Sequence, residues 1–107
     1  MGKYLLRVNY TSTGLKGLTK EGAANRARYI SDFASSVGGT VESFHFALGD
    51  YDAYVVLDAP DDRAVTAASL AVGSSGVASI NTVKLLTADE VDQAIGAMGS
   101  YRPPGDA

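Results

Sequence analysis

Apolar and polar positions alternate along Lys3 to Tyr10, with Tyr4, Leu6, Val8 and Tyr10 on one side and Leu5, Arg7 and Asn9 on the other. That is the period of a half-buried strand, with Leu6 and Val8 assigned to the core. From Thr11 to Gly22 the pattern is mixed. Gly14, Gly17 and Gly22 each weaken a helix by about 1 kcal/mol relative to alanine, so a loop or broken turn is expected there. Ala23, Ala27, Ile30, Ala34 and Val37 then recur at helical spacing with Phe33 alongside, opposite a polar side of Asn25, Arg28, Asp32 and Ser36. Arg28 and Asp32 are spaced for an i,i+4 pair, and Gly38-Gly39 ends the helix.

A hairpin is expected over Thr40 to Asp58. The turn is Gly49-Asp50-Tyr51-Asp52, between Phe44-His45-Phe46-Ala47-Leu48 and Ala53-Tyr54-Val55-Val56-Leu57. Counting outward sets Leu48 opposite Ala53, Phe46 opposite Val55 and Phe44 opposite Leu57, which makes one face oily. The other face collects Ser43, His45, Ala47, Tyr54, Val56 and Asp58. Pro60-Asp61-Asp62 signals a helix start with carboxylates where the dipole favours them. The Ala-rich stretch from Arg63 to Val72 suits close packing on a sheet, and Gly73-Ser74-Ser75-Gly76 stops it. A fourth strand follows over Val77 to Leu86. Thr87-Ala88-Asp89-Glu90 is a capping box, with Leu86 and Val91 placed for a hydrophobic staple. A short helix to Met98 follows, then an extended tail through Tyr101-Arg102-Pro103-Pro104-Gly105.

The order β-α-β-β-α-β predicts an α+β fold of ferredoxin-like type: an antiparallel sheet with helices on one face, an extra C-terminal helix and the tail. The expected division is a domain over residues 1–98 and a tail over 99–107. The uncovered sheet face carries Leu5, Ala47, Tyr54 and Val56, too apolar for water over its whole extent. A second copy of the same sheet is the expected cover, which implies a homodimer or higher homo-oligomer.

Gly49, Tyr51 and Asp52 at the bend, the run from Ala53 that ends in Asp58-Ala59-Pro60-Asp61, and a last strand closing on Leu86-Thr87 resemble the GYD family of small bacterial and archaeal proteins. The likeness spans nearly the whole chain. It implies a dimeric α/β barrel, a fold whose members include small monooxygenases, isomerases, decarboxylating enzymes and ligand sensors. It implies no particular chemistry, because one fold hosts many functions.

Composition narrows the classes further. The 107 residues suffice for one core, and nine Lys plus Arg against twelve Asp plus Glu give a net charge of -3. The basic residues are scattered, which argues against a nucleic-acid partner. With no cysteine there is neither thiol catalysis nor a thiolate metal site, and a reducing cytoplasm is the expected location. Only Tyr4-Leu5-Leu6 follows Lys3 before Arg7, so neither a signal peptide nor a membrane partner is expected.

His45 is the candidate general acid or base, since it alone titrates near neutrality without help. Tyr54 lies diagonally across the hairpin, and Arg7 and Asn9 come from the adjacent strand to stabilise developing oxyanion charge. Such a floor suits a small aromatic or polyketide-like ligand with one anionic or carbonyl oxygen, held between helices and sheet or between paired sheets. Tyr51, Asp52, Tyr54 and Asp58 are the candidate ligand-binding residues. A plainer reading stands beside this one: the polar face only specifies subunit pairing in a non-catalytic assembly or sensor module, while Gly49 supplies a positive φ and Asp52 a bond to backbone. Asp50, Asp52, Asp61 and Asp62 lack calcium-loop spacing, and no metal or cofactor site is read.

Overall fold

A computed structural model describes residues 2–106, so Met1 and Ala107, the last residue of the expected tail, lie outside it. The elements are β1 (Gly2–Tyr10), α1 (Ser12–Glu21), α2 (Ala23–Ser36), β2 (Thr40–Phe46), β3 (Ala53–Ala59), α3 (Asp62–Ser74), β4 (Ala78–Leu85) and α4 (Ala88–Gly96). The four strands form one antiparallel sheet in the order β2-β3-β1-β4, consistent with the ferredoxin-like arrangement. The core lies between this sheet and the helices. Tyr4, Leu57 and Ala59 meet Ala34 of α2 and Val65 of α3 at one end, and Val8, Ala53, Val55 and Ala78 gather at the other.

The expected loop from Thr11 to Gly22 is a helix. Thr11 caps α1 by accepting from the Gly14 amide, and its own amide donates to the Val77 carbonyl at 3.0 Å. Gly14 is buried against that same carbonyl, and a Cβ on it would stand 1.9 Å from the oxygen. The glycine is therefore a point of close approach between α1 and the start of β4, and its cost in propensity is offset by packing. Gly22 alone joins α1 to α2, with φ 91°. In α2, Arg28 donates to Asn25 Oδ1, and no ion pair to Asp32 forms.

The hairpin register also differs from the expected one. Phe46 pairs with Ala53, His45 with Tyr54 and Phe44 with Val55, two residues from the counted alignment, and Ala47 to Asp52 form a six-residue connection. Ala47 leaves the strand because its amide donates to the Asp52 carbonyl, which closes the loop there. A shift of two keeps every side chain on its face, so the sorting of greasy and polar positions survives. A bulge at Glu42, between Val41 and Ser43, then changes the parity and returns Val41 to the core side opposite Leu57.

The later helix ends behave as their residues require. Asp61 accepts from the Ala64 amide as the cap of α3, and Gly76 (φ 80°) stands just beyond that helix. Thr87 and Glu90 form both bonds of the capping box on α4. Every residue of α4 is exposed, including Val91, Ile95 and the following Met98. The described chain extends 62 × 31 × 23 Å. No helix among the described residues is long and apolar enough to cross a membrane.

Candidate functional site

Two places on the sheet collect polar groups over an apolar floor, one on each face. On the outer face, away from the helices, strand register lays His45, Tyr54, Arg7 and Asn81 side by side in one row across β2, β3, β1 and β4. His45 and Arg7 share this face, with Tyr54 directly between them rather than diagonal. Adjacent strands are about 4.8 Å apart, which puts His45 two strands, on the order of 10 Å, from Arg7. The Arg7 guanidinium donates to Asn81 Oδ1, through Nε at 2.9 Å and also through Nη2. It also lies 4.7 Å from the centre of the Tyr51 ring, whose edge meets Tyr54 at 6.1 Å between centroids. The structure thus brings Arg7, Tyr51 and Tyr54 into contact and adds Asn81, which the sequence reading did not name. An outward position on a strand that also offers Ser79, Val83 and Leu85 gave Asn81 no distinguishing signal.

The remaining outer candidates have other engagements. Asp52 Oδ2 accepts from the Tyr10 amide at 2.8 Å, and the Asp52 amide donates to the Val8 carbonyl at 2.8 Å. Its carboxylate thereby ties the loop to the end of β1. Asn9 pairs with Ser79 one row from Arg7, on the side nearer the loop. Asp58 stands four residues along β3 from Tyr54, about 13 Å away, beyond a row formed by Ser43, Val56, Leu5 and Val83. There Lys3 Nζ is 2.9 Å from Glu42 Oε1. The hydrogen bond from Lys3, helped by one from Asp58, holds Glu42 below the usual carboxylate value. The Glu42 carboxylate in turn holds Asp58 above it, because that hydrogen bond favours the protonated acid.

Beneath the helices lies a cavity of 130 Å³. Leu6, Val8, Val55, Ile80, Ile30 and Val72 supply much of its apolar wall, and Gly14 and Gly17 of α1 form part of its roof. Three polar side chains line it, those of Tyr10, Thr13 and Arg26. Tyr10, the last residue of β1, is half-buried, and no described residue hydrogen-bonds its hydroxyl. Burial raises its pKa, so the phenol stays protonated at neutral pH and presents a donor. Arg26, on the first turn of α2, is the one charged residue in the lining. It is held by Glu21 of α1 through Nε at 2.8 Å and Nη2 at 2.7 Å, and its guanidinium stands 5.0 Å from the centre of the Tyr29 ring.

This cavity is on the opposite side of the sheet from His45. Neither Tyr10 nor Arg26 was singled out from sequence. In the sequence Tyr10 is one more inward position of a strand, and Arg26 follows a glycine-rich segment whose pattern predicts a loop. A third polar cluster, where Tyr4 donates to Asp62 at 2.5 Å and Lys84 to the same oxygen at 3.0 Å, fastens the start of α3 to β1 and β4.

Among comparisons with known proteins, the family model described as GYD domain matches residues 4–95. No curated protein and no solved structure matches the chain.

Proposed function

The chain belongs to the GYD domain family, and from that premise we propose a protein that encloses one small organic molecule between its helices and its sheet and pairs with a second copy through the sheet's outer face. The observation that carries the first half is the 130 Å³ apolar cavity with a tyrosine hydroxyl at its rim that has no partner among the described residues. An apolar cavity of about 150 Å³ is known to take benzene, so the space matches a single ring or a short aliphatic chain. One oxygen on such a ligand accepts from Tyr10. Lack of cysteine is compatible with work in the cytoplasm.

Binding is tested by titrating the labelled protein with phenol and following amide shifts. Residues of α1, α2 and β1 around the cavity should move, and Val72→Phe, which fills the space, should abolish the response with the fold intact by circular dichroism. Shifts confined to the outer face would overturn the reading.

A second reading concerns the outer face and is favoured by its outward Leu5, Val56 and Val83. Paired sheets would bury this row and enclose His45, Tyr54, Arg7, Asn9 and Tyr51. Within such an interface His45 either moves a proton on a trapped substrate or serves pairing alone. Val56→Glu should halve the sedimenting mass. His45→Ala should leave the mass alone if the histidine is catalytic and lower it if the histidine only joins subunits.

A further inference from the structure

Building on the cavity reading, we infer that its ligand is a one-ring carboxylate and that the carboxylate engages Arg26 in competition with Glu21. The lining offers one charge, the Arg26 guanidinium, at the boundary between the apolar wall and water, its side chain 32% exposed. A ring fills the apolar part, and the carboxylate remains at the mouth, where solvation is not lost.

Arg26 is set up for such an exchange. Its Nε and Nη2 both converge on the single oxygen Oε1 of Glu21, which leaves the guanidinium's Nη1 without a partner among the described residues. Guanidinium and carboxylate fit best as two parallel bonds to two oxygens. A ligand carboxylate entering from the cavity side offers the oxygens that the Glu21 geometry does not use. The Tyr29 ring beside the guanidinium keeps its plane in position while partners change. Glu21 is the last residue of α1, next to the glycine that joins the two helices, and its side chain is already one-third exposed. It can turn to water without disturbing the core. The Tyr10 hydroxyl, on the rim with Arg26, supplies a neutral donor to the same carboxylate. Thr13 is the remaining polar side chain of the lining, and its hydroxyl is a further neutral donor.

Benzoate and benzyl alcohol, matched in ring and differing in charge, are the probes, titrated into the full chain and followed by amide shifts and calorimetry. Benzoate should bind at least tenfold more tightly than benzyl alcohol. Arg26→Gln should erase that preference while leaving benzyl alcohol affinity unchanged, and Arg26→Lys, which keeps the charge but loses the fork, should restore only part of it. Glu21→Gln should tighten benzoate severalfold without affecting benzyl alcohol. Equal affinity for the two probes would overturn the carboxylate assignment and leave the cavity reading standing. Binding of neither probe would overturn both. Unchanged benzoate affinity in Arg26→Gln, with native circular dichroism, would also sink the inference.

Discussion

Replacing Gly14 and Gly17 by alanine, one at a time, should move stability in opposite directions although both sit in α1. At Gly17 an added Cβ meets nothing within 4 Å, so the substitution reads as helix propensity alone. That is worth about 0.5–1 kcal/mol in favour of the folded state, or roughly 2–8 °C in melting temperature for a domain near this size. At Gly14 the same propensity gain of about 1 kcal/mol is opposed by a collision. The Cβ would lie 1.9 Å from the Val77 carbonyl oxygen and 2.9 Å from its carbon, where ordinary contact begins at 3.4 Å. Relief requires α1 to back away from β4. Such a movement stretches the Thr11 amide bond to Val77 at 3.0 Å and the Thr11 hydroxyl bond to Gly76 at 2.8 Å. Overpacking costs about 1–3 kcal/mol and the two weakened hydrogen bonds about 1 kcal/mol each, so the balance against the propensity gain is a net loss of about 2–4 kcal/mol. Urea unfolding followed by far-UV circular dichroism, at one fixed protein concentration and with unchanged slope, gives both numbers. A Gly14→Ala variant as stable as wild type, or two variants shifting in the same direction, would refute the close-approach account of α1.

Asp52→Ala should destabilise by about 1–3 kcal/mol, since it leaves the Tyr10 amide unpaired in a partly buried place; faster hydrogen exchange at that amide is the check. Asp62 is held below the ordinary carboxylate value, first by the hydrogen bond from Tyr4 and then by Lys84. Its contribution is therefore present above the unfolded value and lost as pH falls through the lowered folded one, and NMR titration should show Tyr4→Phe moving Asp62 back upward. Thr87→Ala should cost α4 about 1 kcal/mol, seen as lost helical shifts over residues 88–96. The global unfolding midpoint should hold, because α4 is exposed throughout; a fall in that midpoint would show the helix packed on the body.

Local chemistry was enough for much of this fold. Alternation fixed the inward set of β1, two-residue periodicity sorted the hairpin faces, and Asp61, Thr87 and Glu90 announced their helix starts, since capping and pleating act between residues a few positions apart. Sequence also placed Tyr54 and His45 on one face, because an even slip in register cannot exchange the two sides of a strand, whereas Arg7 joins them only through the pairing of β1 with β3. Tertiary structure decided the rest. Gly14 looks like a helix breaker until Val77, 63 positions away, is seen to occupy the space its Cβ would need. Asp52 became a tie to Tyr10 through the same kind of distant meeting. The cavity has no sequence signature, since an apolar wall reads like any other core. Tyr10 and Arg26 gain their meaning only from the empty volume they border, and volume is a property of how elements pack together.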